Sequence, residues 1–226
     1  MARLDKLIEE LCPIDMEYLK IEEIADKIFA GGTPRTSIRS YYDGKIPWLR
    51  SGEINFNEIT TTERTITEQG YDKSSAKWIK KNSVLIALTG ATVARTGVNK
   101  IPLTANQSVC AIEVSDKINY KFLYYFLANN YEYLRNRGQG ALTSLTVSYV
   151  KNILIPVPPL PVQEEIVRIL DNFTELTAEL TAELTAELTA REKQYEYYRD
   201  ELLTFGDEVE WKTLGEVSNK TYSGGT

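Results

Sequence analysis

The stretch from Pro161 to Phe205 is a helix too long to fold into a globule, and the rest of the chain has to accommodate it. Ile166, Leu170, Phe173, Thr177, Leu180 and Leu184 alternate at spacings of four and three, and the seam resumes at Leu188, Tyr195, Tyr198, Leu202 and Phe205. That is the inward stripe of a coiled coil. Pro161 suits a first helical turn, and Glu164 and Glu165 complement the positive helix end. A helix over these residues is roughly 65 Å long. A compact domain at one end cannot cover such a stripe, so pairing with another helix is expected, with a helix folded back on its own domain as the alternative. Between the two runs lies a tandem repeat, TEL-TAEL-TAEL-TAEL-TA, from Thr174 to Ala190. Each four-residue unit adds about 6 Å and about 40° of rotation, a stutter in coiled-coil terms.

A second repeat has a much longer period. EYLKIEEIADKIFAGGT (Glu17 to Thr33) returns without a gap as EWKTLGEVSNKTYSGGT (Glu210 to Thr226), with six identical positions. Tyr18 matches Trp211, Ile24 matches Val217 and Phe29 matches Tyr222. Such a period describes a chain of two similar halves, and here the second half has only begun. The expectation is one half of a pseudo-symmetric molecule that needs a partner.

The 226 residues allow one ordinary domain plus an appendage, and 42% hydrophobic residues with 14 Tyr are enough for a real core. No apolar run is long enough to span a membrane, and MARLDKLIEELCP lacks the core of a signal peptide, so a cytoplasmic protein is expected. Cys12 and Cys110 have no metal-ligand spacing and read as reduced, buried thiols. Histidine is absent, which removes the commonest general base and zinc ligand. The net charge of −6 hides a segregation. Residues 33–160 carry 16 Lys+Arg against 9 Asp+Glu, whereas residues 161–226 carry 6 against 15. A basic interior segment of net +7 suits a phosphate backbone even though the whole chain is acidic.

Local patterns divide the chain into an N-terminal helix (1–16), an irregular mixed domain (17–160), the long helix (161–205) and a remnant (206–226). Leu4, Leu7, Ile8 and Leu11 make residues 2–12 amphipathic. Ile21, Ile24, Ala25 and Ile28 predict a second short helix over 19–29. Strands are expected at 46–49, 84–88, 109–114 and 153–157, and a helix over 120–133. Trp48 and Trp78 are expected in the core. The fold class is α+β: one irregular mixed α/β domain followed by a coiled-coil helix.

Several segments together resemble the DNA-specificity subunit of Type I restriction-modification systems. They are LDKLIEELCP…MEYLKIEEIADKIFAGGTP, GKIPWLRSGEI (Gly44 to Ile54), TGATVARTG (Thr89 to Gly97), ANQSVCAI (Ala105 to Ile112), ILIPVPPLPVQEEIVRIL (Ile153 to Leu170) and REKQYEYYRDELLTF (Arg191 to Phe205). Tandem TAEL resembles the IC class of that family. The resemblance implies a target-recognition domain in 17–160 that binds double-stranded DNA. It implies association with a modification (methyltransferase) subunit and, through it, a restriction subunit. S-adenosylmethionine and ATP would be used by those partners, with no cofactor on this chain. Subunits of this family carry two recognition domains and two helices that pair antiparallel; here there is one of each. A homodimer would restore that arrangement through a helix seam of Ile166, Leu170, Phe173, Leu180, Leu184, Leu188, Tyr195, Tyr198 and Leu202, and would read an interrupted palindrome. A stand-alone coiled-coil DNA-binding regulator and a non-functional truncated fragment are the alternatives.

No catalytic set stands in the sequence: there is no phosphate loop, no Asn/Asp-Pro-Pro-aromatic motif and no histidine for a triad. Reading of DNA falls to polar loop residues. Thr33, Arg35, Thr36, Ser37 and Arg39 follow the Gly-Gly break, Arg50 and Ser51 end the Trp48 strand, and Thr89, Thr92, Arg95 and Thr96 form a hairpin-like loop. Gln139, Thr143 and Ser144 lie in GQGALTS, which the resemblance places near the domain exit. Arg reads guanine and Gln reads adenine through paired hydrogen bonds, while Thr and Ser suit phosphate or thymine methyl groups. Lys73, Lys77, Lys80 and Lys81 are candidates to grip phosphate.

Overall fold

A computed structural model describes residues 2–12, 17–137 and 144–218. The chain divides into two compact units, 1–171 and 172–226. In the first unit α1 (Ala2–Leu11) is followed by β1 (Tyr18–Lys20), a 3-10 turn (Ile21–Glu23), β2 (Ala25–Ala30), β3 (Tyr42–Leu49), β4 (Asn57–Ile59) and β5 (Thr65–Ile66). Then come α2 (Glu68–Asp72), β6 (Val84–Ala87), β7 (Thr96–Asn99), β8 (Thr104–Ala105), β9 (Val109–Val114), α3 (Tyr120–Asn129), α4 (Tyr131–Asn136), α5 (Val147–Lys151) and β10 (Leu154–Pro156). Helix α6 (Leu160–Leu203) starts in this unit, and α7 (Leu214–Val217) follows it. The architecture is mixed α/β with a long helix.

The main sheet has five strands in the order β2-β9-β6-β7-β4, all antiparallel except the β4–β7 pair. Its centre is apolar on both faces, so β6 and β9 read as continuous apolar runs. The two-residue period splits them. Val84, Ile86, Cys110 and Ile112 pack with Phe122, Leu123 and Leu127 of α3, whereas Leu85, Ala87, Val109 and Ala111 pack with Leu49, Ile54, Leu103 and Ala105. A small sheet, β5-β3-β8, carries Ile46, Trp48 and Ile66. β1 pairs antiparallel with β10, which ties the start of the domain to its exit.

The helix expected over 19–29 does not form. Ile21 and Ile24 are fully buried, as a helical stripe would be, but they are the first residue and the C-cap of a single 3-10 turn. From Ala25 the chain pairs with β9, where strand hydrogen bonds replace a helical ladder too short to persist alone. Trp78 is also misplaced by the sequence: it is 44% exposed and tilts against Tyr71, while Trp48 is buried with its indole N–H donated to the Gly32 carbonyl at 3.0 Å. Cys12 is half-exposed; Cys110 is buried, which pushes its thiol up to about 12 against the pull of Lys151. The helix over 120–133 is two helices, joined at Asn130.

The first turns of α6 are built into the domain. Gln163 is fully buried; its amide nitrogen donates to the Pro158 carbonyl at 2.7 Å and the Lys117 carbonyl at 3.3 Å, and its oxygen accepts from the Asn119 N–H at 2.8 Å. Lys121 and the Tyr125 hydroxyl both bond Asp171, at 2.8 and 2.7 Å. Burial pulls the Lys121 ammonium down, but Asp171 and Glu58 outweigh it and hold it above its ordinary value. The Arg168 guanidinium, through two hydrogen bonds, holds the Glu165 carboxyl below the usual carboxylate range. Gln163→Leu strands three backbone groups at once, so about 3 kcal/mol should be lost. The thermal midpoint should fall by about 6–12 °C, and an unchanged melting curve would contradict this anchoring role.

In the second unit the helix continues to Leu203, and its apolar residues face solvent. Phe173, Leu176, Leu180, Leu184, Leu188, Tyr195, Tyr198 and Leu202 are each more than half exposed. The threonines of the repeat turn inward on the helix itself: Thr177, Thr181, Thr185 and Thr189 donate to the carbonyls four residues earlier at 2.7–2.9 Å. The leucines are thus the only side chains of the TAEL unit with large apolar surface to bury. At the base of the seam, Ile166 packs on the domain's own core and Leu170 is half-buried, so the exposed stripe begins at Phe173.

Candidate nucleic-acid interface

Strand register gathers most of the candidate residues at one end of the main sheet. Ala30 pairs with Cys110, Ala87 with Val109, Ile86 with Thr96 and Asn57 with Gly97. Leu49 lies beside Ala105, and the Asn106 N–H donates to the Leu49 carbonyl at 2.9 Å. One rim therefore collects the end of β2 (Gly31, Gly32, Thr33), the end of β3 (Arg50, Ser51), the approach to β4 (Asn55, Phe56), the end of β6 (Thr89), the approach to β7 (Arg95) and the turn before β9 (Asn106, Gln107). Ser144 joins it through an isolated bridge to Thr89.

The Gly-Gly pair makes this crowding possible. A Cβ at Gly31 would run into the Ala105 carbonyl oxygen, and one at Gly32 into the backbone of Ser75. Only glycine lets the three segments close on one another. Thr33 then meets Gln107 side chain to side chain, and the Tyr42 hydroxyl donates to the Pro34 carbonyl at 2.7 Å. Two non-glycine rim residues hold left-handed backbone, Phe56 at φ 55° and Ala94 at φ 64°. Such conformations cost about 1–3 kcal/mol each and persist where the surroundings impose them. The Phe56 N–H bonds the Thr96 carbonyl, and its own carbonyl accepts from the Tyr124 hydroxyl at 2.8 Å.

Beside the rim lies an open cleft of about 500 Å³, lined by Thr36, Arg39, Tyr42, Asp43, Trp48, Arg50 and Arg64. Three guanidiniums face one carboxylate across it, a surface that attracts phosphate. Burial pushes the Tyr42 phenol up, against the opposing pull of Arg64. Arg50 is committed: it pairs with Glu63, and its Nε lies 3.8 Å from Glu53. Arg39 and Arg64 form no ion pair among the described residues, and Arg35 likewise, which leaves three forks for a ligand. Arg95 donates to the Asn55 side chain at 3.0 Å.

Other candidates stand elsewhere. Thr96 is the first residue of β7 and fully buried, so it belongs to the core. Lys80 and Lys81 precede β6 at the opposite end of the sheet, where Lys80 lies 3.5 Å from Glu113. Lys77 sits over the Phe29 ring at 5.4 Å from its centre, and Lys73 follows α2. Thr36, Ser37 and Thr92 are on the rim loops; Gln139 and Thr143 lie outside the described residues. Sequence reasoning missed Arg64 and Gln107. Arg64 reaches the cleft through β5 pairing on β3, which no local pattern announces. Gln107 was signalled only by a polar Asn-Gln-Ser break between two apolar strands.

Among the described residues, no group of three His, Cys, Asp or Glu is placed to hold a metal ion, and no helix is long and apolar enough to cross a membrane.

The fold is that of solved type I specificity proteins. A structure described as the basis of complex assembly and conformational transition of the type I R-M system superimposes with a TM-score of 0.62 at 22% identity, covering 86% of this chain and 48% of that one. The HsdS subunit from Thermoanaerobacter tengcongensis gives 0.59 at 21% identity, covering 80% and 44%.

Sequence carries the assignment further. The family model described as "Type I restriction modification DNA specificity domain" matches residues 13–190. The chain belongs to that family. The Type I restriction enzyme EcoprrI specificity subunit of Escherichia coli is 36% identical over 96% of this chain and 58% of its own length. A putative type I restriction enzyme specificity subunit, S.HindORF215P of Haemophilus influenzae, is 44% identical over 95% of this chain and 52% of its own. The chain spans about half the length of the curated relatives it matches.

Proposed function

We propose that this chain is a non-catalytic specificity subunit that binds double-stranded DNA as a homodimer. The observation that carries the dimer is the apolar stripe of α6 from Phe173 to Leu202, which the described residues leave in solvent. Two such stripes packed antiparallel bury each other and place two identical recognition domains under a two-fold axis. Each rim then reads one copy of an inverted half-site, with Arg35, Arg39, Arg64, Gln107 and Thr33 as the groups available for bases and phosphates. The assembled dimer offers a modification subunit, and through it a restriction subunit, the DNA to act on. S-adenosylmethionine and ATP belong to those partners, and the site of action is the cytoplasm.

The TAEL block acts as a ruler in this reading. One unit lengthens the helix by about 6 Å, against about 3.4 Å per base pair. Deleting Thr181 to Leu184 should shorten the undefined spacer by one or two base pairs and leave both half-sites unchanged. Selection of bound DNA from a randomised pool checks this; altered half-sites after the deletion would refute the ruler.

A further inference from the structure

One aromatic side chain on the rim stands on backbone that bulky residues avoid. Among the described residues, four non-glycine positions have positive φ: Asp43, Phe56, Asn82 and Ala94. Asp and Asn visit the left-handed region several times more often than other residues, and Ala is small. Phe56, at φ 55°, is the outlier. A glycine would take this conformation freely, so the turn itself gives no reason for a ring.

The surroundings nevertheless pin it on every side. The Phe56 N–H donates to the Thr96 carbonyl at 2.9 Å, and the Phe56 carbonyl accepts from the Tyr124 hydroxyl at 2.8 Å. The Asn55 N–H donates to the Asn57 side-chain oxygen at 2.8 Å, and the Arg95 guanidinium donates to the Asn55 side-chain oxygen at 3.0 Å. The Phe56 ring meets Tyr131 edge to face, with centroids 5.1 Å apart. Tyr131 is itself covered by the Arg135 guanidinium, 5.9 Å from its ring centre. The ring is thus propped from behind and still 37% exposed. Backbone strain held in place this way marks a side chain kept for use.

The neighbours of Phe56 on the rim are guanidiniums, amides and hydroxyls, which recognise charge, donors and acceptors. Among the described residues, it is the one large hydrophobic side chain exposed there. In the major groove the four base pairs differ by their donors and acceptors and by a single apolar group, the 5-methyl of thymine. We infer that Phe56 is a specificity-determining residue that reads a thymine through this methyl. The inference rests on the DNA binding proposed above and is independent of the dimer. A methyl withdrawn from water against the ring contributes about fourfold in affinity.

The test uses the full chain and the duplex it selects from a randomised pool. Each thymine of one half-site is replaced in turn by deoxyuridine, which keeps its pairing and loses only the methyl. Wild type should lose about fourfold in affinity at one thymine or more. Phe56→Gly should bind the deoxyuridine duplex at one of these positions and its thymine parent alike. Its thermal midpoint should stay within about 5 °C of wild type, because relief of the backbone offsets the lost contact with Tyr131. Wild type indifferent to every methyl, or a glycine variant that keeps each fourfold difference, overturns the assignment. Weak binding by the variant with no methyl dependence in wild type also overturns it, and makes the ring a wedge between base steps. A larger fall in the midpoint makes the ring a structural prop and overturns it too. Wild-type chain that selects no duplex refutes DNA reading as a whole, whereas the other failures leave DNA binding standing.

Discussion

Leu180→Glu with Leu184→Glu should convert the chain to a monomer that keeps its helix. Glutamate forms helices nearly as well as leucine, and both positions face solvent within one chain, 57% and 67% exposed. Neither change therefore threatens the recognition domain. In an antiparallel dimer, however, each substitution occurs twice, removing four leucine side chains from the seam. At roughly 1.5 kcal/mol or more per side chain the loss is about 6 kcal/mol, or about four orders of magnitude in the dimer dissociation constant. Binding to a two-part site should weaken by about 10²–10⁴-fold, because the second half-site is no longer held near the first. Binding to an isolated half-site should not change. Sedimentation, circular dichroism and titration against both DNAs check the three parts. A variant that stays dimeric would place the interface off the seam.

Arg39→Ala with Arg64→Ala should remove most of the DNA affinity without softening the fold. Both guanidiniums line the open cleft and form no ion pair among the described residues, so thermal stability should be unaltered. Each lost phosphate contact should lower the salt dependence of binding by about one unit of slope. Each lost bidentate base contact should cost about 1–3 kcal/mol and relax specificity at one position. Two substitutions in two protomers make the combined loss about a thousandfold or more. The salt slope separates the two roles. A steepened or unchanged slope with unchanged affinity would move the interface away from this cleft. Arg50→Ala is the contrasting case: its guanidinium is already engaged by Glu63 and Glu53, so its loss should disturb the rim's structure as well as its charge.

The parts of this molecule legible in its sequence are those whose periodicity is set within one element. The strands around Val84 and Val109 announced themselves because both faces are buried, and α6 because its heptads run for ten turns. What misled was a short apolar spacing. Ile21 and Ile24 sit three apart in either a helix or a 3-10 turn, and only pairing of Ala25–Ala30 with β9 decides between them. Trp78 was misplaced for a related reason: a large aromatic side chain usually seeks the core, but nothing in its neighbourhood of lysines says which side of Ile79 is buried. β5 and β8 are two residues long and have no pattern of their own.

The candidate site was legible by composition and only partly by place. The loops after β2, β3 and β6 were found from glycine and polar breaks, and the register brings them to one rim. Thr96 stands at the rim end of β7 but is buried in the core, whereas Lys80 and Lys81 lie at the opposite end of the sheet, a strand's length away. Arg64 and Gln107 carry no local signal, because each reaches the rim through a contact between distant segments.

In the proposed assembly two identical copies of this chain read one DNA site. Mapping methylated bases across the genome of a cell that carries this chain with a modification subunit puts that symmetry to the test. The expected motif is an interrupted palindrome, with the same half-site inverted on either side of a fixed spacer. An asymmetric motif with two different half-sites would contradict it.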